Sequence, residues 1–343
     1  MASPRLPIIG TRAHGGMTPQ ACVALAQLAE ASNLAALWFA ENPFTRGILP
    51  AIAACAVATS RIKLGVGVWN PYNRHPTLMA MEIAALDELT GKRVALGIGS
   101  GIGGQIEKMG LSYAKPIGAM RDAVTIVRAM LRGDEVHHSG SVFSAAGAKL
   151  ELPAPRPDLP IHLAAVGDQA LRLCGQVADG LMISNMCPPG FTARAVAMVH
   201  AAARAAGRPP PPAVVQYVPC VVQPDRAAAR AAVKQTIGTM LGAYWRLYAK
   251  WPGMLAGMQR ESGIPEDEFA AALSALQAGT PAQQALDDRF VEAYAIAGDR
   301  DDFEAGARRL GDVGVTELVV TFVGAQPADD MAYLAPVLAK ARG

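Results

Sequence analysis

Residues 62–105 hold two apolar segments joined by one amphipathic segment, and this unit constrains the fold more than any other part of the chain. The apolar segments, residues 62–69 and 93–100, have the length of strands, and both run into loops rich in Gly, Asn and Ser. Strands joined through a helix pair in parallel. In parallel α/β folds such loops lie side by side at the carboxyl ends of the strands, where ligands bind. The unit therefore predicts both a fold class and a ligand-binding face.

The alternation of short apolar segments with longer Ala/Leu-rich segments continues over most of the chain. The predicted strands are residues 6–12, 36–41, 62–69, 93–100, 160–167, 180–186, 213–222 and 317–324. The predicted helices are residues 18–33, 47–59, 76–90, 116–132, 168–178, 191–206, 225–250, 301–313 and 328–341. Buried strands that are each followed by a helix indicate an α/β protein with a (β/α)8 TIM barrel; a doubly wound open sheet is the alternative.

Several helix boundaries have their own signals. Thr18 and His75 each precede a proline, which places an N-cap residue before a proline at the first helical position. Gly91, Gly133 and Gly207 follow helical segments, where a left-handed C-cap is expected.

The domain prediction is one barrel over residues 1–343 with two insertions. Residues 134–159 are polar, contain Gly and Pro, and suggest a hairpin, whereas residues 251–298 suggest additional helices. Insertions at the ligand face of a barrel usually line or cover the site.

Composition excludes several classes of protein. Hydrophobic residues make up 51% of the chain, which is too apolar for disorder, and the net charge of +2 is not that of a nucleic-acid-binding protein. The amino terminus has no signal-peptide core, and the longest uncharged segments are shorter than the ~18 residues of a spanning helix. We expect a soluble cytoplasmic protein that acts on a small molecule and binds neither nucleic acid nor membrane.

The five cysteines, at positions 22, 55, 174, 187 and 220, form no CxxC pair and no cluster with histidines. A metal site is therefore not predicted. Reduced thiols packed as small hydrophobic side chains are expected.

Residues 99–104 match the pattern G-x-G-x-x-G after a strand, which in a dinucleotide-binding fold would hold a pyrophosphate. Their context argues against this interpretation, since Met109 to Leu111 and Lys115-Pro116 intervene before the next predicted helix, and the strand is the fourth in the series. A glycine loop that lets a flat ligand approach the backbone is favoured.

Gly65 and Gly67 lie inside the third strand, before the polar loop that begins at Asn70. Glycines inside a strand often mark a bulge or a close backbone approach, which suggests a backbone shelf for an aromatic ring system. Small residues that taper a barrel interior are the alternative.

Residues 164–169 place Gly167 just before a helix, where amide groups can converge on an anion such as phosphate. The alternative is that Asp168 is an N-cap with nothing bound.

Glu41 ends the second strand and Asn42 follows it. A carboxylate at that place can act as an acid or a base if burial raises its pKa. Equally, Glu41 can form a structural ion pair with Arg12, Arg46 or Arg74.

Four segments carry a resemblance to a known family: WFAENPFTRG at 38–47, LGVGVWNPYNRHP at 64–76, LDELTGKRVALGIGSG at 86–101 and LAAVGDQALRLCGQVADG at 163–180. In them the chain resembles the bacterial-luciferase-like superfamily of (β/α)8 flavin enzymes. Within it, the chain is most similar to the branch that uses the deazaflavin coenzyme F420, which includes methylenetetrahydromethanopterin reductase.

This resemblance implies positions for the cofactor. A non-prolyl cis peptide is expected at Gly67-Val68, with a bulge against the central deazaflavin ring, and Asn70 lies in the adjoining loop. Residues from Gly101 to Gln105 would border the ring and its side chain. The amides of Ala164, Ala165, Val166, Gly167, Asp168 and Gln169 would hold the ribityl-phosphate part. Glu41 and Asn42 would stand near the reacting C5 carbon as the catalytic pair.

The chain departs from the family pattern at three places. Many relatives carry Asp-His where this chain has Glu41-Asn42, and some carry an acidic residue where Ile102 stands. Val166-Gly167-Asp168 replaces the commoner Gly-Gly-Pro or Thr-Gly-Pro. These departures put the groups that transfer protons in doubt and weaken the phosphate assignment.

The resemblance implies an F420-dependent oxidoreductase that transfers a hydride between C5 and a small organic substrate. It also implies a homodimer, because relatives commonly dimerise through barrel helices. An FMN-dependent two-component monooxygenase is one alternative. A non-catalytic flavin-binding protein with an eroded site is the other.

Overall fold

The computed structural model describes residues 6–152, 156–247 and 252–341. The strands are β1 (Ile8–His14), β2 (Ala36–Ala40), β3 (Lys63–Trp69), β4 (Val94–Ile98), β5 (Val136–Ser139), β6 (Ser144–Ala148), β7 (Ile161–Ala164), β8 (Gly180–Ile183), β9 (Ala213–Val222), β10 (Ile296–Gly298) and β11 (Glu317–Phe322). The helices are α1 (Pro19–Ala31), α2 (Leu49–Ala58), α3 (Pro76–Thr90), α4 (Gly103–Lys108), α5 (Pro116–Leu131), α6 (Asp168–Val177), α7 (Pro189–Ala205), α8 (Arg226–Leu247), α9 (Pro252–Glu261), α10 (Glu266–Gln277), α11 (Ala282–Ala285), α12 (Asp288–Tyr294), α13 (Arg300–Asp312) and α14 (Pro327–Ala341).

The main sheet has the strand order β10-β9-β11-β1-β2-β3-β4-β7-β8, and β8 also pairs with β9. The pairs β2–β3, β3–β4, β4–β7 and β7–β8 are all parallel. The sheet is therefore closed, which confirms the (β/α)8 barrel and makes the open-sheet alternative wrong. Apolar side chains on both faces explain the continuous burial of strands such as β4 and β8.

Contacts divide the described chain into two compact units. One consists of residues 12–182 and 198–213 and contains the strands from β2 to β7. The other consists of the described residues up to Thr11, residues 183–197 and the described residues from Val214 onward, and it contains β9 to β11. The prediction of a single domain stays a prediction.

The predicted strands and helices are all present, and residues 213–222 and 76–90 have the predicted bounds. The last three residues of the predicted helix 225–250 lie outside the described residues. Two short elements were missed, β10 and α4. The prediction that a helix does not begin directly at the G-x-G-x-x-G pattern was wrong, because α4 begins at Gly103. The closed barrel excludes the dinucleotide-binding fold all the same.

The predicted helix caps are confirmed. Thr18 accepts a hydrogen bond from the Ala21 amide (3.2 Å), and His75 Nδ1 accepts one from the Thr77 amide (3.3 Å). The glycines at the predicted C-termini, 91, 133 and 207, have φ values of 63°, 84° and 68°. These caps satisfy backbone groups that have no partner inside a helix.

Both insertions have the expected character. Residues 134–159 contain an antiparallel hairpin of β5 and β6, with residues 153–155 outside the described part. Residues 251–298 contain α9 to α12 followed by β10, and Trp251 is not among the described residues.

All five cysteines are free thiols with buried side chains, as expected for small hydrophobic packing residues. Burial raises the pKa of Cys55 and of Cys174 to about 12. Among the described residues, no helix combines the length and the hydropathy needed to cross a membrane.

Candidate functional site

The carboxyl ends of β2, β3, β4 and β7 carry the residues that the sequence predicts for the site. Glu41-Asn42 follows β2, Asn70 follows β3, residues 101–105 follow β4, and residues 164–169 begin at the last residue of β7. Because these strands are parallel neighbours, their carboxyl ends meet at one edge of the sheet. The structure therefore brings the four segments together.

The peptide bond between Gly67 and Val68 is cis, as the resemblance implies. The pairing of β3 with β4 also shifts register here, between Val66 and Trp69. Val66 pairs with Leu96, and Trp69 pairs with Ile98, so one residue more lies between the partners on β3 than on β4. The predicted bulge at the end of the third strand is present.

The side chain of Val68 lies over two glycine positions of the neighbouring strand. A β-carbon at Gly97 would be 3.1 Å from Val68 Cγ1 and would overlap the Val66 carbonyl oxygen. A β-carbon at Gly99 would be 2.7 Å from Val68 Cγ2 and 3.5 Å from the β-carbon of Ala164. The glycines thus make room for the half-buried side chain of Val68, and Val68, Gly99 and Ala164 are all small apolar residues. We call Val68, Gly99 and Ala164 the shelf.

Asn70 is buried and holds the loop beside the shelf. Its Oδ1 accepts hydrogen bonds from the amides of Tyr72 (3.1 Å) and Asn73 (3.2 Å). Its Cγ would be 3.1 Å from a β-carbon at Gly101, where φ is +73° and favours glycine. Asn70 therefore joins two loops, a structural role that sequence reasoning did not assign to it.

Glu41 forms an ion pair with Arg74, one of the three arginines considered from the sequence. Arg74 Nη1 donates to Glu41 Oε2 (3.0 Å), and Arg74 Nε donates to Glu82 Oε2 (2.7 Å). The guanidinium carbon lies 4.5 Å from the centre of the Trp69 ring. The side chains of Arg74 and Glu41 are 15% and 12% exposed, so water screens this pair weakly.

Asn42 and Gln105 stand at the same edge. Asn42 is exposed, and its carbonyl oxygen accepts hydrogen bonds from the amide (3.3 Å) and the hydroxyl (2.7 Å) of Thr45. Gln105 is half-buried in α4, and its amide donates to the Ile102 carbonyl oxygen (2.9 Å).

The segment between β7 and α6 differs from its prediction in two respects. The N-cap of α6 is Gly167, so the alternative in which Asp168 is the cap is wrong. The amide of Ala165 donates to the Met182 carbonyl oxygen (3.2 Å), which removes it from the amides that can face a ligand. Val166 is half-buried.

The first turn of α6 is the part of this segment that can still bind an anion. The amides of Asp168 and Gln169 are in the first turn, where N–H groups have no acceptor inside the helix. A β-carbon at Gly167 would meet nothing within 4 Å, so the approach is open. The exposed carboxylate of Asp168 lies 4.0 Å from Arg172 Nη2.

Sequence reasoning missed His14, which is exposed at the carboxyl end of β1, the strand next to β2. Its Nδ1 accepts a hydrogen bond from the Gly16 amide (3.1 Å). Burial, together with the positive charge of Arg12, lowers the pKa of His14. Because Nδ1 accepts a hydrogen bond, the neutral imidazole carries its proton on Nε2. The signal available in the sequence was its place at the end of a predicted strand.

Comparison with known proteins identifies the family. The family model described as luciferase-like monooxygenase matches residues 6–317. The chain belongs to this family. It is 29% identical, over 86% of its length and 87% of the relative's, to 5,10-methylenetetrahydromethanopterin reductase of Methanolobus tindarius. The description of the family and the name of this relative are both those of oxidoreductases, and the chain is an oxidoreductase.

Solved structures of similar proteins share the fold. The coenzyme F420-dependent tetrahydromethanopterin reductase of Methanopyrus kandleri superposes with a TM-score of 0.81 at 24% identity, covering 96% of this chain and 97% of that one. The oxygenating constituent of 3,6-diketocamphane monooxygenase of Pseudomonas putida, in complex with FMN, gives a TM-score of 0.75 at 16% identity and covers 98% of both chains. The shared barrel therefore occurs with either cofactor.

Proposed function

We propose that the chain is an F420-dependent oxidoreductase that transfers a hydride between C5 of the deazaflavin and a small organic substrate. The observation that carries this proposal is the shelf of Val68, Gly99 and Ala164 at the ligand-binding edge of the barrel. Support comes from relatives over most of the chain's length, one of which is named as dependent on this coenzyme.

The residues present fit a planar deazaflavin with an anionic side chain. The shelf consists of small apolar residues, and its side chains Val68 and Ala164 are half-buried, so a flat ring can pack against them. The open first turn of α6 supplies the amides of Asp168 and Gln169 for the phosphate part. When bound, the coenzyme supplies at C5 the carbon that gives or accepts the hydride. The protein orients the ring and excludes water from its face.

Polar groups at the same edge would act on the substrate. Arg74 holds the Glu41 carboxylate in place. We therefore assign to Glu41 and the exposed Asn42 the role of polar groups oriented towards the reacting carbon. We assign to His14 a hydrogen bond from Nε2–H to the substrate, because Nδ1 is already an acceptor for the Gly16 amide. A neutral imidazole that donates in this way stabilises negative charge on a reacting oxygen.

The second candidate is an FMN-dependent monooxygenase, and the similarity to the diketocamphane enzyme favours it. The shelf accepts either tricyclic ring. The discriminating experiment is a pair of fluorescence titrations of the purified protein, one with F420 and one with FMN. Reduced and oxidised F420 are then incubated with a panel of cyclic ketones, alcohols and imines while absorbance is followed.

F420 binding at least tenfold tighter than FMN binding, with turnover of a panel member, is the expected result. Oxygen uptake with reduced FMN and no reaction with F420 would replace the proposal by the monooxygenase. Tight binding with no turnover over the whole panel would favour a non-catalytic flavin-binding protein. The homodimer and the cytoplasmic location stay predictions.

A further inference from the structure

The hairpin of β5 and β6 reaches the site from the opposite end of the barrel. It follows α5, and α5 runs from the carboxyl edge of the sheet towards the amino edge. Asp122 lies nine residues before Leu131, the last residue of α5, which is about 14 Å along the helix. Asp122 nevertheless contacts the tip of the hairpin, residues 140–143, so the hairpin folds back along the helix.

Asp122 anchors this tip with one carboxylate. Its Oδ2 accepts hydrogen bonds from the amides of Val142 (2.8 Å) and Phe143 (3.1 Å), and its Oδ1 lies 3.1 Å from His138 Nε2. Burial alone would raise the pKa of Asp122, but these two amides and His138 hold it below its ordinary value. A β-carbon at Gly140 would overlap the Asp122 carboxylate, so the tip packs directly on it.

Phe143 of the tip packs on the loop beside the shelf. Its ring centre is 5.9 Å from that of Tyr72 and 5.6 Å from that of His75, both in edge-to-face geometry. Tyr72 is held further by the Tyr113 ring, 5.1 Å away, and by a hydrogen bond from its hydroxyl to the Ala114 carbonyl oxygen (2.5 Å). Edge-to-face pairs add specificity of orientation to apolar contact.

We propose that the hairpin tip is a brace for the loop 70–75, with Asp122 and Phe143 as positioning residues of the site. Asp122 accepts a hydrogen bond from the Phe143 amide, and the Phe143 ring packs on Tyr72. The Tyr72 amide in turn donates to Asn70, which lies close to Gly101 beside the shelf. The effect on cofactor binding rests on the proposed function; the effect on the loop does not.

The first test measures the loop itself, without cofactor. Hydrogen exchange by mass spectrometry is followed for peptides that cover residues 70–75 and the strands β3 and β4. Phe143→Ala is expected to speed exchange of the Tyr72 and Asn73 amides at least tenfold, because the loop that holds them on Asn70 loses its packing at Tyr72 and His75. His137→Ala is the matched control, since His137 lies on the same hairpin with 68% of its side chain exposed.

The second test measures the site with F420 and substrate. Phe143→Ala is expected to weaken F420 binding about tenfold and to leave kcat within threefold, while Phe143→Tyr, which keeps the ring, restores the affinity. Asp122→Ala is expected to match Phe143→Ala, and Asp122→Asn, which keeps an amide oxygen as acceptor, to lie between it and the wild type.

Unchanged exchange of the loop in Phe143→Ala would overturn the proposal. If Phe143→Ala speeds exchange of the loop but the wild type does not bind F420, the proposed function is overturned and the brace is retained. Equal loss of exchange protection in β3 and β4 would show general destabilisation, and the brace would then be rejected. Failure of Phe143→Tyr to restore the protection of the loop would also reject it.

Discussion

Val68 of β3 lies against Gly99, the residue that follows β4, and a β-carbon at position 99 would stand 2.7 Å from Val68 Cγ2. Gly99→Ala is therefore expected to displace Val68 from the shelf and to weaken F420 binding at least tenfold. The cost in stability from such overpacking is about 1–3 kcal/mol. Fluorescence titration and urea unfolding measure the two effects.

Gly47→Ala is the matched control, because a β-carbon at Gly47 would meet nothing within 4 Å and Gly47 lies outside the segments assigned to the cofactor. It should leave both quantities near wild-type values. Equal affinities for F420 in the two variants would show that the shelf does not carry the ring.

Arg74 bridges Glu41 and Glu82 and stacks on Trp69, which makes it the most connected charge at the site. Arg74→Met leaves two half-buried carboxylates without this partner and is expected to lower the free energy of unfolding by about 2 kcal/mol. Arg74→Lys keeps the charge but loses the planar fork, so kcat/KM should fall at least tenfold. Steady-state kinetics and thermal unfolding provide the measurements.

Arg132→Met serves as the comparison for Arg74, since the Arg132–Asp134 pair is half exposed. It should change stability by less than about 0.5 kcal/mol. An Arg74→Lys enzyme with full activity would mean that the orientation of Glu41 by an arginine that also holds Glu82 is unimportant.

Asp330 is 5% exposed, and burial raises its pKa to about 6, with the charge of Asp329 adding to the effect. Between the unfolded pKa near 4 and the folded pKa, the native state binds the proton and the unfolded state releases it. The free energy of unfolding should therefore fall as pH rises from 4 to 6, by about 3 kcal/mol from this group. Asp330→Asn should remove that slope and be more stable than the wild type at pH 7.

The check is urea unfolding of the wild type and the variant at several pH values, with Asp312→Asn, an exposed acid in α13, as control. Parallel curves for wild type and Asp330→Asn would contradict the raised pKa of Asp330.

The five buried thiols should be nearly unreactive in the native state. The thiolate is the reactive form, and a pKa of about 12 for Cys55 and Cys174 leaves about one molecule in ten thousand ionised at pH 8. Ellman's reagent should modify less than one thiol per chain within minutes, and all five after unfolding in guanidinium. Rapid reaction of several native thiols would contradict the packing described.

Much of the fold follows from local pattern. Helix 76–90 has the predicted bounds because His75 and Gly91 cap its ends, and residues 213–222 form a long, mostly apolar strand in spite of Pro219. The three-residue β10 is too short for periodicity to reveal. Helix α4 begins with two glycines, which local propensity disfavours, so only its surroundings explain it.

The residues of the site also divide into those that the sequence pattern predicts and those that depend on tertiary contacts. The strand ends place Glu41, Asn70 and Gly101 at one edge, as alternation of strands and helices predicts. The use of the Ala165 amide by Met182 and the choice of Arg74 as the partner of Glu41 depend on contacts between distant segments. The brace through Asp122 joins a helix to a hairpin, and the periodicity of the sequence does not predict a contact of this kind.

The hairpin of β5 and β6 forms a sheet of its own and, within the part of the chain that the structure describes, pairs with no strand of the barrel. Its length and composition can therefore change without altering the register of the strands that form the shelf. A lineage that keeps Asp122 as the anchor can thus change the rest of the hairpin by substitution, insertion or deletion. In an architecture of this kind, new substrates are gained by exchanging an accessory element while the chemistry stays in place.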